Sequence, residues 1–203
     1  MDGITAGITA GAGEELRVLG FAGSLRAGSY NGALLRSAQE MAPAGLAIEI
    51  YESIDLPLFN EDIEAQGDPE PVAAFKMAIA EADAVLIATP EYNYGVPGVL
   101  KNAIDWASRP PGRGPLDGKL AAIIGASVGT VGSARAQQQL RQVFAFTNTL
   151  AMLQPEVLVG RAHQKFDRDG HLSDEATRTF LRQYLETFHG WATRMLQAAL
   201  IAR

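Results

Sequence analysis

From residue 16 onward the chain alternates short apolar runs with segments patterned as helices, five times over, and that alternation limits the folds open to it. The apolar runs are Leu16–Ala22 (LRVLGFA), 46–51 (LAIEIY), Ala84–Ala88 (AVLIA), 119–125 (KLAAIIG) and 156–160 (EVLVG). Between and after them, residues 31–41, 71–82, 97–108 and 133–146 carry apolar side chains at helical spacing. Pro97 suits a first helical turn, where its missing N–H costs nothing. Residues 174–202 form a last long helix, with Gly190 as the place where it could break. The run AVLIA is apolar throughout, as a parallel strand covered on both faces requires. Strand–helix alternation implies a parallel sheet between two helix layers, and right-handed crossovers leave few strand orders. The expectation is an α/β, flavodoxin-like three-layer fold with a five-stranded parallel sheet, order 2-1-3-4-5.

At 203 residues, 47% of them apolar, the chain has room for one well-buried domain, expected over 15–203. Residues 1–14 (MDGITAGITAGAGE) are dominated by Gly, Thr and Ala and read as a flexible tail. They lack the basic and apolar regions of a signal peptide, and no run approaches the ~18 apolar residues of a membrane span. A cytoplasmic location is the expectation. The net charge of −6 speaks against a nucleic-acid or membrane-surface binder. With no cysteine, the chain has no thiolate and no disulfide, so redox chemistry would need a borrowed cofactor.

In sheets of this kind ligands bind beyond the carboxyl ends of the strands. The loop after the first strand, residues 23–31 (GSLRAGSYN), joins hydroxyls, an amide and a guanidinium where a helix begins. Unpaired N–H groups and the helix dipole favour an anion there, and Arg26 adds a fork that suits phosphate oxygens. Ser29 and Asn31 could equally cap the helix. The dinucleotide and P-loop glycine fingerprints are absent, so a phosphate monoester such as that of FMN fits better than a pyrophosphate. The loop after the third strand, residues 90–98 (PEYNYGVPG), offers two aromatics and a fixed backbone to a flat heterocycle. The loop at residues 126–133 (ASVGTVGS) is glycine-rich and would admit a ring close to the backbone.

That last loop also spells Gly125-Ala126-Ser127-Val128-Gly129, a match to the G-x-S-x-G nucleophile elbow. A serine hydrolase would use Ser127, with an acid among Asp167, Asp169 and Asp174 and a base among His171 and His189. It would leave Arg26 and residues 90–98 without work. His163, Asp167, Asp169 and His171 fall close together but lack the spacing of a calcium loop, so no metal site is expected. Glu61, Asp62 and Glu64 read as a surface loop.

Taken together, residues 23–31, residues 90–106 (PEYNYGVPGVLKNAIDW) and the 127–135 loop and helix start resemble the NAD(P)H-dependent FMN reductases. That flavodoxin-like group includes bacterial quinone, chromate and azo-dye reductases. The resemblance implies that Ser24, Arg26, Ser29 and Asn31 hold the FMN phosphate. Pro90, Glu91, Tyr92, Asn93 and Tyr94 would line the isoalloxazine edge, and Ser127 and Gly129 would close the other side. It also implies ping-pong hydride transfer from NADPH or NADH to bound FMN and then to a small acceptor: a quinone, a flavin, an azo compound or a metal oxyanion such as chromate. No side chain need be catalytic, since the flavin carries the chemistry.

For the NADPH 2′-phosphate the candidates are Arg109 and Arg113, with Lys101 weaker. A homodimer is expected from the resemblance, with the helix from Pro97 exposing Val99, Leu100 and Trp106 as its contact, and a tetramer remains open. Gln138 stands where some quinone-reducing relatives carry a tyrosine of the tetramer contact. Two further readings share the fold: a flavodoxin-type FMN electron carrier without a nicotinamide site, and a flavin-free interaction domain.

Overall fold

The computed structural model describes residues 15–201; the tail expected over 1–14 lies outside the described residues. In chain order the elements are β1 (Leu16–Ala22), α1 (Tyr30–Glu40), β2 (Leu46–Ile50), α2 (Glu61–Glu64), α3 (Glu70–Glu81), β3 (Ala84–Ala88) and α4 (Gly98–Ala107). They continue with β4 (Leu120–Ala126), α5 (Ala134–Phe146), β5 (Leu150–Ala151), β6 (Val157–Val159), a 3-10 turn (Ala162–Gln164) and α6 (Glu175–Ile201). The strands form one parallel sheet in the order β2-β1-β3-β4-β5, with β6 also on β4, which is the flavodoxin-like arrangement.

Every residue of β3 and β4 is buried, because helices cover both faces. Ala84, Leu86 and Ala88 pack with α1 and α6, whereas Val85 and Ile87 point to α3, α4 and α5. Leu100 and Trp106 of α4 are fully buried in this second core, and only Val99 is partly exposed. The expectation that they expose a dimer face is therefore corrected: the carbonyl of Pro57 accepts from Trp106 Nε1–H at 2.8 Å, and Phe59 meets the Trp106 ring edge-on at 5.0 Å.

The fifth position of the sheet is split. β5 pairs with Leu120 and Ala121, β6 with Ile124 to Ala126, and the backbone of Ile123 falls in the gap. The buried Tyr184 hydroxyl of α6 fills it, donating to the Ile123 carbonyl at 2.9 Å and accepting its N–H at 3.0 Å. A two-residue strand such as β5 carries no periodicity and was not expected. Helix α6 runs through Gly190 unbroken, since Leu185, Phe188 and Ala192 bury its inner face and outweigh the ~1 kcal/mol that glycine costs a helix. The acidic 61–64 segment is not loop but the short helix α2, capped by the Asn60 side chain on the Asp62 amide. Among the described residues no helix is long and apolar enough to cross a membrane.

Candidate functional site

Because the strands are parallel, the loops that follow β1, β3 and β4 emerge at one edge of the sheet. The first is tied to the end of β3 by Gly23 N–H, which donates to the Ala88 carbonyl at 2.8 Å. Ser29 caps α1, its Oγ accepting from Gly32 N–H at 3.2 Å. The first-turn amides of Tyr30 and Asn31 have no acceptor among the described residues. Arg26 is exposed; its guanidinium donates to the Gly28 carbonyl and lies 5.7 Å from the Tyr30 ring centroid. A cation held beside the positive end of a helix, with open amides next to it, is a favourable arrangement once an anion sits between them. These groups fit the phosphate of FMN.

The second loop closes as a two-residue hairpin. Tyr92 and Gly95 exchange backbone hydrogen bonds at 3.1 and 3.0 Å, and the two residues between them, Asn93 and Tyr94, have φ of 51° and 66°. Positive φ at both central positions defines a type I′ turn, which a tyrosine enters only under outside constraint. The constraint comes from α5. The Arg135 guanidinium lies 4.1 Å from the Tyr94 ring centroid and pairs with Glu91 Oε1 at 3.1 Å. Glu91 Oε2 accepts the N–H groups of Arg135 (2.8 Å) and Ala136 (3.2 Å), and Gln139 Oε1 accepts that of Val96 at 2.7 Å. Glu91 thus serves as the anionic cap of α5, whose N-cap residue Ser133 makes no side-chain cap bond.

The third loop is fixed from the far side. Ser127 N–H donates to Val159 O at 2.9 Å, Ala162 N–H to Ser127 O at 3.0 Å, and Arg161 N–H to Gly129 O at 2.8 Å. A Cβ on Gly160 would stand 2.3 Å from the Thr130 carbonyl, so only glycine permits this approach. Tyr92 Oη lies 3.4 Å from Ser24 Oγ, joining the first and second loops, and Tyr92, Tyr94, Val128 and Val131 are exposed around them.

Ser24, Arg26, Ser29, the segment from Pro90 to Tyr94, Ser127 and Gly129 are therefore brought to one edge. Two expected ligands have their side chains engaged elsewhere. Asn31 is buried, its Nδ2 donating to the Ala126 carbonyl and its Oδ1 accepting the Ala126 amide, both at 2.9 Å; it clamps β4 to α1 rather than offering its amide to a phosphate. The Glu91 carboxylate faces α5, leaving the backbone of its loop to meet a ring.

Arg109 and Arg113 are a correction. They lie in the connection from α4 to β4, which a parallel sheet places at the opposite, amino-terminal edge. Arg109 is also held by Glu64 at 2.9 Å and Glu61 at 3.6 Å. Lys101 pairs with Asp105 at 2.6 Å. Arg135 and Gln139 were not singled out in the sequence, although an arginine in a first helical turn, against the dipole, is the signal that marks the first of them.

Among the described residues the hydrolase geometry is absent: Ser127 Oγ accepts only from Gly129 N–H at 3.2 Å, His171 lies 3.4 Å from Asp167, and His189 packs on Gly45 at the other edge of the sheet. The ligand atoms of Asp167, Asp169 and His171 come within 4.8 Å of one another in an exposed turn. There the His171 amide, before any other cause, holds the Asp167 carboxyl below its ordinary range.

A sequence model described as NADPH-dependent FMN reductase matches residues 16–164. The chain is 48% identical to an NAD(P)H-dependent FMN reductase of Pseudomonas aeruginosa, over 90% of this chain and 98% of that one. It is 42% identical to a quinone reductase of Escherichia coli, over 90% and 98% of the two chains. Among solved structures, a flavoenzyme NAD(P)H:(acceptor) oxidoreductase of Paracoccus denitrificans superposes with a TM-score of 0.80 at 39% identity, covering 88% of this chain and 98% of that one. A phosphate-ready helix start beside two braced loops and these likenesses agree: the chain belongs to the NADPH-dependent FMN reductase family, enzymes whose cofactor is FMN and whose reductant is a reduced nicotinamide.

Proposed function

We propose that this enzyme passes two electrons from a reduced nicotinamide to a quinone in ping-pong fashion, each substrate using the same opening in turn. The observation that carries the reading is the convergence of three loops beside the open first turn of α1, linked by the Ser24–Tyr92 and Asn31–Ala126 contacts. FMN supplies the hydride chemistry when bound. Ser24, Arg26, Ser29 and the Tyr30 and Asn31 amides hold its phosphate. The backbone from Pro90 to Tyr94 and the loop at Ser127 and Gly129 orient the ring and restrict its exposure. Exposed Tyr92, Tyr94, Val128 and Val131 offer flat and apolar sides to a planar acceptor, which favours a quinone over a metal oxyanion. Relatives named quinone reductase at 42–45% identity support the same class.

The test is anaerobic mixing of FMN-loaded protein with NADPH or NADH, followed by reoxidation with benzoquinone, free flavin, an azo dye or chromate. Bleaching of the visible flavin band followed by fastest recovery with the quinone is expected. No bleaching with either nicotinamide favours an electron carrier, and faster recovery with chromate or the dye reassigns the acceptor.

A further inference from the structure

We propose that the cavity between the start of α1 and the 162–170 turn binds the adenosine 2′-phosphate of NADPH, with Arg36 and Arg168 as its ligands. The assignment rests on the reading above that a reduced nicotinamide works at this edge of the sheet. The cavity measures about 490 Å³ and is bounded by Ser29, Tyr30, Arg36, His163, Phe166 and Arg168 among others. Arg36, one helical turn beyond the Gly32 amide that Ser29 caps, extends its guanidinium across the gap: a Cβ on Gly32 would be 3.6 Å from Nη1, and one on Gly170 would be 3.9 Å from Nη2. It therefore bridges α1 and the turn.

Neither Arg36 nor Arg168 has a hydrogen bond or ion pair among the described residues, whereas Arg109, Arg135, Arg141 and Arg178 each meet a carboxylate. Two uncommitted guanidinium groups line one cavity that Asp167 and Asp169 also border, and the planar fork of arginine matches phosphate oxygens. Tyr30 and the buried Phe166 pack on each other in its wall with ring centroids 5.4 Å apart, giving the cavity an apolar side.

The cavity wall is tied to the glycine loop through the backbone. The Arg161 and Ala162 amides hold the carbonyls of Gly129 and Ser127, so the segment that forms the cavity begins on the glycine loop itself. Arg161 is exposed at that junction, with φ of 51°. Asp167 and Asp169 share the rim; the Asp167 carboxylate is engaged by the Asp169 and His171 amides and by His171, so the two arginines must outweigh Asp169 when the dianion binds.

The experiment uses FMN-loaded wild type, Arg36→Gln and Arg168→Gln, with unaltered FMN content as the check on folding. Adenosine 2′,5′-bisphosphate and 5′-AMP are titrated calorimetrically, and kcat/KM is measured for NADPH and NADH with one quinone. Wild type should bind the bisphosphate more tightly than 5′-AMP. Each variant should lose that affinity, and the NADPH-to-NADH ratio of kcat/KM, by roughly tenfold, the scale of a charge-assisted hydrogen bond. Equal binding of the two nucleotides by wild type, or variants within about twofold of wild type in both measures, overturns the assignment. If instead neither nicotinamide bleaches the flavin, the reading of the function fails while the nucleotide titration still reports on the cavity.

Discussion

The Asn31 side chain brackets the peptide of Ala126, donating to its carbonyl and accepting its amide at 2.9 Å each. Through this pair the helix that presents the phosphate loop is locked to the strand that presents the glycine loop. Removing it leaves a buried N–H and C=O without partners, a cost of about 2–4 kcal/mol. Asn31→Ala should lower the unfolding free energy by that amount in urea titrations and also weaken FMN binding. Asn31→Asp should be at least as damaging, because it puts an acceptor and a charge against a carbonyl.

Tyr184→Phe should destabilise the fold without touching the flavin site. Burial pushes the Tyr184 phenol well above its ordinary pKa, so it stays a neutral donor, and its loss leaves Ile123 unpaired in the gap between β5 and β6. A loss of about 1–3 kcal/mol in chemical denaturation, with FMN affinity unchanged, is the expected result.

Arg26→Ala should weaken FMN binding by about 1–3 kcal/mol, seen as a rightward shift in a flavin fluorescence titration. The apoprotein should keep its stability, since the guanidinium is exposed and bonds only to its own loop.

Glu91→Ala should act at two levels. It strips α5 of its anionic cap and frees Arg135 from the loop, at about 1–2 kcal/mol of stability. The Tyr94 turn then relaxes, so FMN binding weakens although the lost carboxylate faces away from the opening. Both effects are read from thermal unfolding with and without FMN.

Lys119 gives a pH signature. Burial, offset in part by Asp83 and reinforced by Arg17, pushes its pKa down to about 8 while its ammonium donates to the Ala82 carbonyl at 2.5 Å. In the unfolded chain the group keeps a pKa near 10.4. The unfolded state therefore binds more protons between these values, and stability from this residue rises with pH across that window. Relative to Lys119→Met, wild type should gain about 2 kcal/mol in denaturation free energy between pH 7 and 9.5.

The layered fold was legible because its cause is local and repetitive. Ala84–Ala88 can be apolar throughout only under two helix layers, and the strand bounds at β1 and β3 follow from the runs themselves. The phosphate loop was legible for a similar reason, since Arg26 beside a helix start conflicts with the dipole unless an anion is present. The split fifth strand was not, because two paired residues and a tyrosine hydroxyl from a helix some 60 residues later leave no periodic trace.

The sequence by itself determined the alternation, the parallel sheet and the chemistry of the three loops. Tertiary structure alone decided how the side chains in them are used. Asn31 and Glu91 turned inward to hold loops in place because their hydrogen-bond partners, Ala126 and the start of α5, arrive from 95 and 44 residues away. Strand direction then sent Arg109 and Arg113 to the opposite edge and left Arg36 and Arg168, remote in sequence, facing one cavity.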